Sequence, residues 1–346
     1  MRQTRALSVG VFAIALCLAD SATRADDVAA FYAGRRVSWI LSADAGGGYA
    51  AYAQAFAPFF ADRIPGKPTI VIQNKPGGGG LRAMNELFAI APRDGATIGL
   101  VHSSVPFAPL YGLTGARFDP RQMGWIGSLA TSRGICVAWH TAGIATWQDM
   151  LDKTFTVGGT GAGSQMETLP VLLNTLFGTR IKVISGYPGG NAIYLAMERG
   201  EVQGRCGGLV SSINATRPDW FAERKVRVPI QVALARNPQF PAVPAIVELA
   251  KDARTRDILR LALAPEDMDR PILAPPGVPP ERLAALRAAF HAAMNDPGFI
   301  AQAHRQHLEI EEVAGERVAD IVAATYAMPP EIAKAAADAM SSAGSN

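Results

Sequence analysis

Between residues 36 and 101 the chain alternates short runs rich in β-branched side chains with stretches whose apolar residues recur every three or four positions. Residues 36–41, 69–73 and 97–101 are runs of the first kind and predict three strands. The apolar stripes of the two intervening helices comprise Tyr52, Phe56, Phe59 and Phe60, and then Leu81, Met84 and Phe88. Strand, turn and helix repeated in this order are typical of an α/β domain with a parallel sheet.

The same alternation restarts after about residue 130 and predicts a second α/β unit. The predicted strands there cover residues 136–139, 154–157, 182–184 and 228–233, and the predicted helices cover residues 146–151, 166–176 and 192–199. In the tail, Pro279-Pro280 and Pro329-Pro330 each precede an apolar stripe. Because proline is favoured in the first turn of a helix, both pairs predict helix starts. No internal repeat is visible, although both halves share this architecture.

Residues 1–25 have the pattern of a secretory signal peptide. Arg2 and Arg5 precede the apolar run 6–19, and Ala25 supplies a small residue at the expected cleavage point. The run is shorter than the roughly 20 apolar residues that a membrane span needs. An uncleaved anchor or a buried first helix is the alternative. We therefore expect a periplasmic protein that is cleaved near Ala25.

Composition and charge narrow the class of protein. The 346-residue chain is 49% hydrophobic and 18% charged, which excludes the disordered and fibrous classes. Its formal net charge is +3, and removal of residues 1–25, which hold three Arg and one Asp, lowers it to +1. A nearly neutral chain argues against nucleic acid as a partner, because such binding depends on many cations that face phosphates.

The three cysteines are too few for a disulfide scaffold or for a multi-cysteine metal cluster. Two of them, Cys136 and Cys206, lie in strand-like runs of the mature chain. An oxidising compartment allows one disulfide between them, but spacing alone says nothing about geometry. One disulfide and two separate buried thiols therefore both remain open.

Four glycine-rich turns each lie between a predicted strand and the first turn of a helix. They cover residues 45–48, 77–80, 158–164 and 186–191. Such turns place unpaired backbone N–H groups and the positive end of a helix dipole at the carboxyl edge of a sheet, where open α/β sheets bind ligands. Each turn alone is compatible with a purely structural role. Four at equivalent positions predict a cleft that binds an anion such as a carboxylate.

A dinucleotide site is a weak alternative. Gly46, Gly48 and Ala51 fit the G-x-G-x-x-A spacing after a strand. The second strand, however, ends in Gln73-Asn74, where such a site needs an acidic residue. Residues 158–164 do not fit the spacing, and no G-x-x-x-x-G-K-[ST] phosphate loop occurs. We therefore expect no cofactor.

Hydrolase and metal chemistry also lack their sequence signatures. No G-x-S-x-G elbow occurs, and neither Ser104 nor Ser164, the candidate nucleophiles, has an evident base and orienting acid. The five histidines form no H-E-x-x-H motif, and His304 with His307 fits a solvated helix face better than a metal pair. His102-Ser103-Ser104, at the end of the third strand, is expected to hydrogen-bond a ligand instead.

Several segments in a fixed order along the chain carry a resemblance. They are Ser42-Ala43-Asp44-Ala45-Gly46-Gly47-Gly48-Tyr49, then Asn74-Lys75-Pro76 with the four glycines that follow it, and then Ala91-Pro92-Arg93-Asp94-Gly95. Further matching segments cover residues 158–164, 186–190, 200–202, 273–279 and 282–297. Together they resemble the Bug family, the extracytoplasmic receptors of tripartite tricarboxylate transporters, over essentially the whole mature chain.

The resemblance implies an α/β fold with two Rossmann-like lobes joined by crossing strands, of the periplasmic binding protein type. The first domain would be discontinuous, residues 26–130 plus 230–346, and residues 131–229 would form the second. The implied function is that of a monomeric receptor, not an enzyme, which captures a small organic anion and delivers it to the membrane subunits of a tripartite tricarboxylate-type transporter. An exported α/β hydrolase and an orphan receptor of a sensor system are the alternatives.

The family's binding loops map onto the glycine-rich turns and the end of the third strand. Their backbone N–H groups are expected to hold the carboxylate, with Tyr49, Tyr52 and Met166 as apolar walls. The four turns contain no arginine, so Lys75 and Arg82 are the nearest charges. The residues expected to bind the ligand are Ala43, Gly46, Gly47, Gly48, Tyr49, Tyr52, Asn74, Pro76, Gly77, Gly78, Ser103, Ser104, Thr160, Gly161, Gly163, Ser164, Gln165, Tyr187, Gly189, Gly190, Asn191 and Cys206.

Two departures from the family's pattern bear on the ligand. Ala50 stands where many members have Asp, and Cys206-Gly207-Gly208 stands where many have an acidic or Ser-bearing stretch. Both changes remove side-chain hydrogen-bonding groups near the cleft. They therefore bear on whether the ligand is the usual dicarboxylate or tricarboxylate.

Overall fold

Two lobes, each a mixed β-sheet covered by helices, make up the computed structural model, which describes residues 26–161 and 163–341. The predicted α/β class with two lobes is confirmed. The predicted signal peptide, residues 1–25, lies outside the described residues. Among the residues that are described, no helix has the length and apolar character needed to cross a membrane.

Strands and helices alternate along the chain much as the apolar pattern predicts. The strands are β1 (Arg36–Leu41), β2 (Thr69–Asn74), β3 (Thr97–Leu100), β4 (Gly124–Ala130), β5 (Gly134–Trp139), β6 (Phe155–Gly158), β7 (Ile181–Ile184), β8 (Gly204–Leu209), β9 (Val226–Val232), β10 (Asp269–Ala274) and β11 (Val313–Ala314). The helices are α1 (residues 26–32), α2 (Gly48–Arg63), α3 (Leu81–Ala89), α4 (Trp147–Asp152), α5 (Gln165–Phe177), α6 (Gly190–Glu198), α7 (Val210–Thr216), α8 (Asp219–Ala222), α9 (Ala253–Leu263), α10 (Pro280–Met294), α11 (Pro297–Arg305), α12 (Gly315–Tyr326) and α13 (Pro330–Met340).

Each lobe has its own sheet, and both sheets are mixed rather than parallel as expected. The first has the strand order β11-β4-β10-β3-β1-β2, and the second has the order β7-β6-β8-β5-β9. Strand β1 is parallel to β2 and β3, and β6 is parallel to β7 and β8. Strands β4, β5, β9 and β10, which lead towards or away from the junction of the lobes, pair antiparallel with their neighbours. The predicted parallel pairing therefore holds for the strand–turn–helix units, which require a parallel crossover, but not for the whole of either sheet.

The lobes divide the chain differently from the expected boundaries. The boundary expected at residue 230 falls inside β9, a strand of the second sheet. The chain then stays with that lobe, because Ile258 and Leu259 of α9 belong to its buried core. The last helix, α13, also returns to it through Ala336 and Met340. The second lobe therefore includes residues 233–263 and 330–340, which were expected in the first.

Aromatic side chains hold α2 against the first lobe. Tyr52, Phe56 and Phe60 are fully buried, as their spacing predicts. The ring centroid of Phe56 lies 5.6 Å from that of Phe290 on α10 and 5.0 Å from that of Phe299 on α11. Each buried ring stabilises the fold by about 1.5–3 kcal/mol. This packing fixes the start of α2 at the edge of the first sheet, where the candidate site lies.

A disulfide joins β5 to β8 in the second lobe. Cys136 and Cys206 are bonded, and both are fully buried. Of the two alternatives that spacing left open, the structure therefore has the disulfide. Strands β5 and β8 are hydrogen-bonded neighbours in the sheet, which brings the two cysteines together across 70 positions of sequence.

Candidate ligand-binding site

The four glycine-rich turns meet where the two lobes face each other. Those after β1 and β2 belong to the first lobe, and those after β6 and β7 belong to the second. A Cβ atom built on Gly46 would lie 3.0 Å from Nδ2 of Asn191, and one built on Gly161 would lie 3.1 Å from the backbone N of Gly79. Gly161 also has a φ of +124°, which L side chains rarely adopt. Glycine therefore allows the two walls to come into contact.

A cavity of about 30 Å³ lies between these turns. Nine of the expected residues line it, namely Ala43, Gly47, Gly48, Tyr49, Ser104, Ser164, Gln165, Gly190 and Asn191. Met166, expected as an apolar wall, and His102, expected as a hydrogen-bonding residue, also line it. The lining is completed by Asp44, Tyr194, Arg205, Gly207 and Ser212. A cavity needs about 10–15 Å³ to hold one water molecule, so an organic acid enters only if the lobes separate.

Three helices begin at the cavity without a side-chain cap. Helices α2, α5 and α6 start at Gly48, Gln165 and Gly190, and all three residues line the cavity. The preceding residues make no side-chain hydrogen bond to the first turn of their helices. Unpaired N–H groups and the positive ends of three helix dipoles therefore converge on one space. This arrangement favours an anion.

Two of the expected residues lie beneath the cavity rather than on its wall. Tyr52 is fully buried, its ring stacks under the guanidinium of Arg270 at 3.8 Å, and its hydroxyl donates to the carbonyl of Glu309. Cys206 is held in the disulfide. Because side chains alternate along a strand, its neighbours Arg205 and Gly207 face the cavity while Cys206 faces the core. Neither of these two side chains lines the cavity.

The other expected residues do not line the cavity. Gly189 packs against the carboxylate of Asp44, and Gly163 packs against Leu113, both across the junction of the lobes. The side chain of Asn74 donates to the carbonyl of Ala43. The remaining residues of this group are Gly46, Pro76, Gly77, Gly78, Ser103, Thr160, Gly161 and Tyr187.

Arg205 is a charged side chain of the cavity that was not among the residues expected to bind the ligand. It is only 5% exposed, and its guanidinium lies 5.0 Å from the ring centroid of Tyr194. Its Nε has no hydrogen-bond partner among the described residues, and none of the ion pairs found among them includes it. Gly190 makes room for it, because a Cβ there would lie 2.5 Å from Nη1. Burial of an unpaired charge is costly, so this guanidinium is suited to receive an anionic partner.

A second arginine, Arg270, is neutralised by the protein itself. It is fully buried, forms an ion pair with Asp269 and donates from Nη2 to the hydroxyl of Ser212 at 2.9 Å. The hydroxyl of Tyr49 donates to Oδ1 of Asp269, also at 2.9 Å. Because Ser212 follows β8 whereas Tyr49 and Asp269 belong to the first lobe, this network connects the lobes beside the cavity.

Several buried polar atoms of the cavity wall lack hydrogen-bond partners in the described part of the chain. They are Asp44 Oδ1, His102 Nδ1, Ser104 Oγ, Ser164 Oγ, Tyr194 Oη and Arg205 Nε. Buried polar atoms are nearly always paired in folded proteins. Six such atoms in one cavity indicate that a polar ligand completes the set.

Burial shifts the pKa values of the acidic residue and the histidine that line the cavity with Arg205. It raises the pKa of Asp44, and the nearby charge of Arg205 partly offsets that shift. It lowers the pKa of His102 to about 4, so the imidazole is neutral at neutral pH. His102 Nδ1 and the hydroxyls of Ser104 and Ser164 make no hydrogen bond within the described residues, so the nucleophile–base contact of a hydrolase is not formed there.

The sequence contains a signal for Arg205 and for Asp44, although neither was among the residues expected to bind the ligand. Arg205 interrupts a run of small and apolar residues directly before Cys206, and Asp44 lies inside the first glycine-rich segment. A charged residue inside a strand-like run or a glycine-rich turn is itself a functional signal. The described residues hold no group of three or more His, Cys, Asp or Glu side chains suited to a metal ion.

Comparison with known proteins gives one family and a set of related folds. The family model for TctC, the tripartite tricarboxylate transporter family receptor, matches residues 61–337. Among solved structures, the periplasmic binding protein BugD is 20% identical with a TM-score of 0.70, and the match covers 89% of this chain and 98% of BugD. A search of curated protein sequences found no match.

Two further structures of similar fold contain carboxylic acids. MatC from Rhodopseudomonas palustris with bound malate is 18% identical with a TM-score of 0.66, and the match covers 88% of this chain and 99% of MatC. Rpa4515 from R. palustris with adipate is 17% identical with a TM-score of 0.69, and the match covers 87% of this chain and 97% of Rpa4515.

Proposed function

The chain belongs to the TctC family of tripartite tricarboxylate transporter receptors, and from this premise we propose that it captures a small organic acid between its two lobes. MatC and Rpa4515, which have a similar fold, were solved with malate and adipate, which are both carboxylic acids. The ligand of this chain is proposed to carry at least one carboxylate. Export to the periplasm, with cleavage near Ala25, is part of the same proposal.

One observation carries the proposal: Arg205 is a buried guanidinium that faces the interlobe cavity, makes no ion pair among the described residues and has an Nε without a hydrogen-bond partner there. A guanidinium matches a carboxylate with two parallel hydrogen bonds, and such pairs are among the strongest in proteins. The starts of α2, α5 and α6 add backbone N–H donors, whose partial positive charge also favours an anion. The cavity is therefore suited to a carboxylate.

Around this anchor, the remaining wall supplies orientation. The hydroxyls of Ser104 and Ser164 are buried and offer donors or acceptors, and Tyr49 with Met166 provides apolar surface. The family-derived residues that surround the cavity, such as Gly46 and Gly189, are proposed to act by letting the lobes close. They bring backbone rather than side chains to the ligand.

Binding is proposed to proceed by closure of the lobes. The cavity of about 30 Å³ is too small for an organic acid to enter, so the lobes must first open. A ligand that contacts Arg205 on one wall and the start of α2 on the other interacts more strongly with the closed form. It therefore shifts the population towards closure. We propose that the closed form then docks as a monomer on the membrane subunits of the transporter.

The proposal is tested by titration calorimetry of the purified protein against a panel of mono-, di- and tricarboxylates. In a separate unfolding measurement, an acid that is present at 100 times its Kd should raise the free energy of unfolding of the protein by about 2.7 kcal/mol. Arg205→Gln should weaken binding at least about 30-fold, because loss of a buried charge partner costs about 2 kcal/mol or more.

Arg227→Gln is the matched control, because Arg227 is an exposed arginine on β9 of the same lobe. It should leave the Kd unchanged. A panel in which no acid binds, or an acid whose Kd is the same for wild type and Arg205→Gln, would contradict the proposal.

A further inference from the structure

Asp44 is a carboxylate in a cavity that is otherwise arranged for an anion. It lines the cavity, and its Oδ1 is buried without a hydrogen-bond partner among the described residues. Its carboxylate packs against Gly47 of its own turn and against Gly189 of the other lobe, and a Cβ on either glycine would collide with it. Two glycines therefore make space for an acidic side chain that binding of a dicarboxylate does not require.

We infer that Asp44 determines specificity by selecting a small zwitterion, a ligand with one carboxylate and one protonated amine, over a dicarboxylate. This inference rests on the proposed function, because it assumes that Arg205 receives the carboxylate. The inference adds the chemical class of the ligand's second charged group, which is a protonated amine.

The charges that face the cavity support this choice. Arg205 is positive, and Asp44 is the acidic residue of the wall. The charge of Arg270 is neutralised by Asp269, and His102 is uncharged at neutral pH. A dicarboxylate would place its second negative charge beside Asp44, and like charges brought together away from water repel strongly. A zwitterion meets one opposite charge at each end.

Hydrogen-bonding chemistry leads to the same ligand. An ionised carboxylate only accepts hydrogen bonds and a guanidinium only donates them. Asp44 and Arg205 face the same cavity and influence each other electrostatically, yet they form no ion pair. A ligand between them therefore needs an acceptor directed at Arg205 and a donor directed at Asp44. An amine and a carboxylate on one short chain satisfy both, and an unpaired Asp44 penalises ligands without the donor.

The experiment compares matched pairs in which one carboxylate of a dicarboxylate is exchanged for an amine. Titration calorimetry at neutral pH would measure β-alanine against succinate, γ-aminobutyrate against glutarate and L-alanine against methylmalonate. We expect at least one amino-bearing probe to bind at least about tenfold more tightly than the matched acid without the amine. Asp44→Asn should weaken the binding of this amino-bearing probe at least about tenfold, and it should strengthen the binding of the dicarboxylates.

Two variants make the outcome decisive. Asp62→Asn removes an exposed acidic residue of the first lobe and should leave every Kd unchanged. Arg205→Gln should weaken the binding of amino-bearing and amine-free acids alike. An unchanged melting temperature of Asp44→Asn would show that a change in its affinity reflects the site rather than the fold.

The two proposals fail in different ways. If no acid of either kind binds, the proposed function fails and the inference fails with it. If dicarboxylates bind more tightly than every amino-bearing probe and depend on Arg205 but not on Asp44, the proposed function stands and the inference on Asp44 is overturned.

Discussion

Glu266 is a buried carboxyl at the junction of the two lobes. It accepts hydrogen bonds from the backbone N–H groups of Gly134, at 2.9 Å, and of Leu234, at 3.3 Å. Its own carbonyl accepts from the N–H of Ser132. Burial raises the pKa of Glu266 to about 8, so the carboxyl is protonated at neutral pH. One residue thus ties together the segments that lead from each sheet to the other.

The pKa of Glu266 predicts how stability depends on pH. Between the ordinary value of 4.5 and about 8, the folded protein keeps a proton that the unfolded chain has released. The contribution of Glu266 to the free energy of unfolding should therefore fall as pH rises through this window, and it should be constant outside it. Glu266→Gln should flatten that fall in urea unfolding at about pH 5, 6.5 and 8. If the free energy of unfolding depended on pH in the same way for wild type and Glu266→Gln, the assignment of this pH dependence to Glu266 would be wrong.

At the scale of elements, strands β4 and β10 escaped the apolar pattern although both are almost entirely buried. Strand β10 begins with Asp269 and Arg270, which are fully buried because they pair with each other and with Tyr49 and Ser212. Strand β4 contains glycines, and a Cβ on Gly127 would collide with the ring of Phe290. Paired charges and glycines that make room for rings both remove the apolar signal by which a buried strand is recognised.

The disulfide between β5 and β8 gives a prediction at the same scale. Cys136→Ala together with Cys206→Ala should lower the free energy of unfolding by about 2–4 kcal/mol, because the crosslink restricts the unfolded chain. Unfolding of the wild type in a reductant should show the same loss, and the double variant should not respond to the reductant. Two reactive thiols in denatured, unreduced protein would contradict the disulfide.

For the whole molecule, membership in a receptor family confirms the prediction of a binding protein rather than an enzyme. The two-lobed fold agrees with that of BugD. The junction between the lobes includes glycines that pack closely against residues of the opposite lobe, with the Arg270–Ser212 hydrogen bond beside them. Closure therefore depends on the absence of a Cβ atom at these positions.

Gly189→Ala tests that dependence. Gly189 is extended, with a φ of −177°, so alanine introduces no backbone strain there. The added Cβ would collide with Asp44 on the other lobe. We expect binding of an acid that the wild type takes up to weaken at least about tenfold. The radius of gyration of the complex, measured by X-ray scattering, should increase while the melting temperature stays unchanged.

Gly115→Ala is the matched control, because a Cβ there meets Leu81 of the same lobe. It should leave both the affinity and the radius of gyration unchanged. Equal affinities of wild type and Gly189→Ala would show that the lobes do not close through this contact.

Local sequence determined most of the elements and the four turns. The strands β1, β2, β3, β6 and β7 and the helices α2, α3, α5, α6, α10 and α13 were predicted within a few residues, because their apolar periodicity is an intrinsic property of each segment. The glycine-rich turns follow from the same local chemistry. The order of the matching segments along the chain also indicated the family.

Only the tertiary structure decided which side chains share the cavity. Asp44 and Arg205 are far apart in sequence and meet because the turns of two sheets face each other. The disulfide, the neutralised Arg270 and the return of α13 to the second lobe are likewise contacts between distant segments. Local periodicity determines which face of a helix or strand is buried, but it carries no information about which distant residue covers that face. The identity of the group that pairs with a buried charge is therefore settled only when the lobes come together.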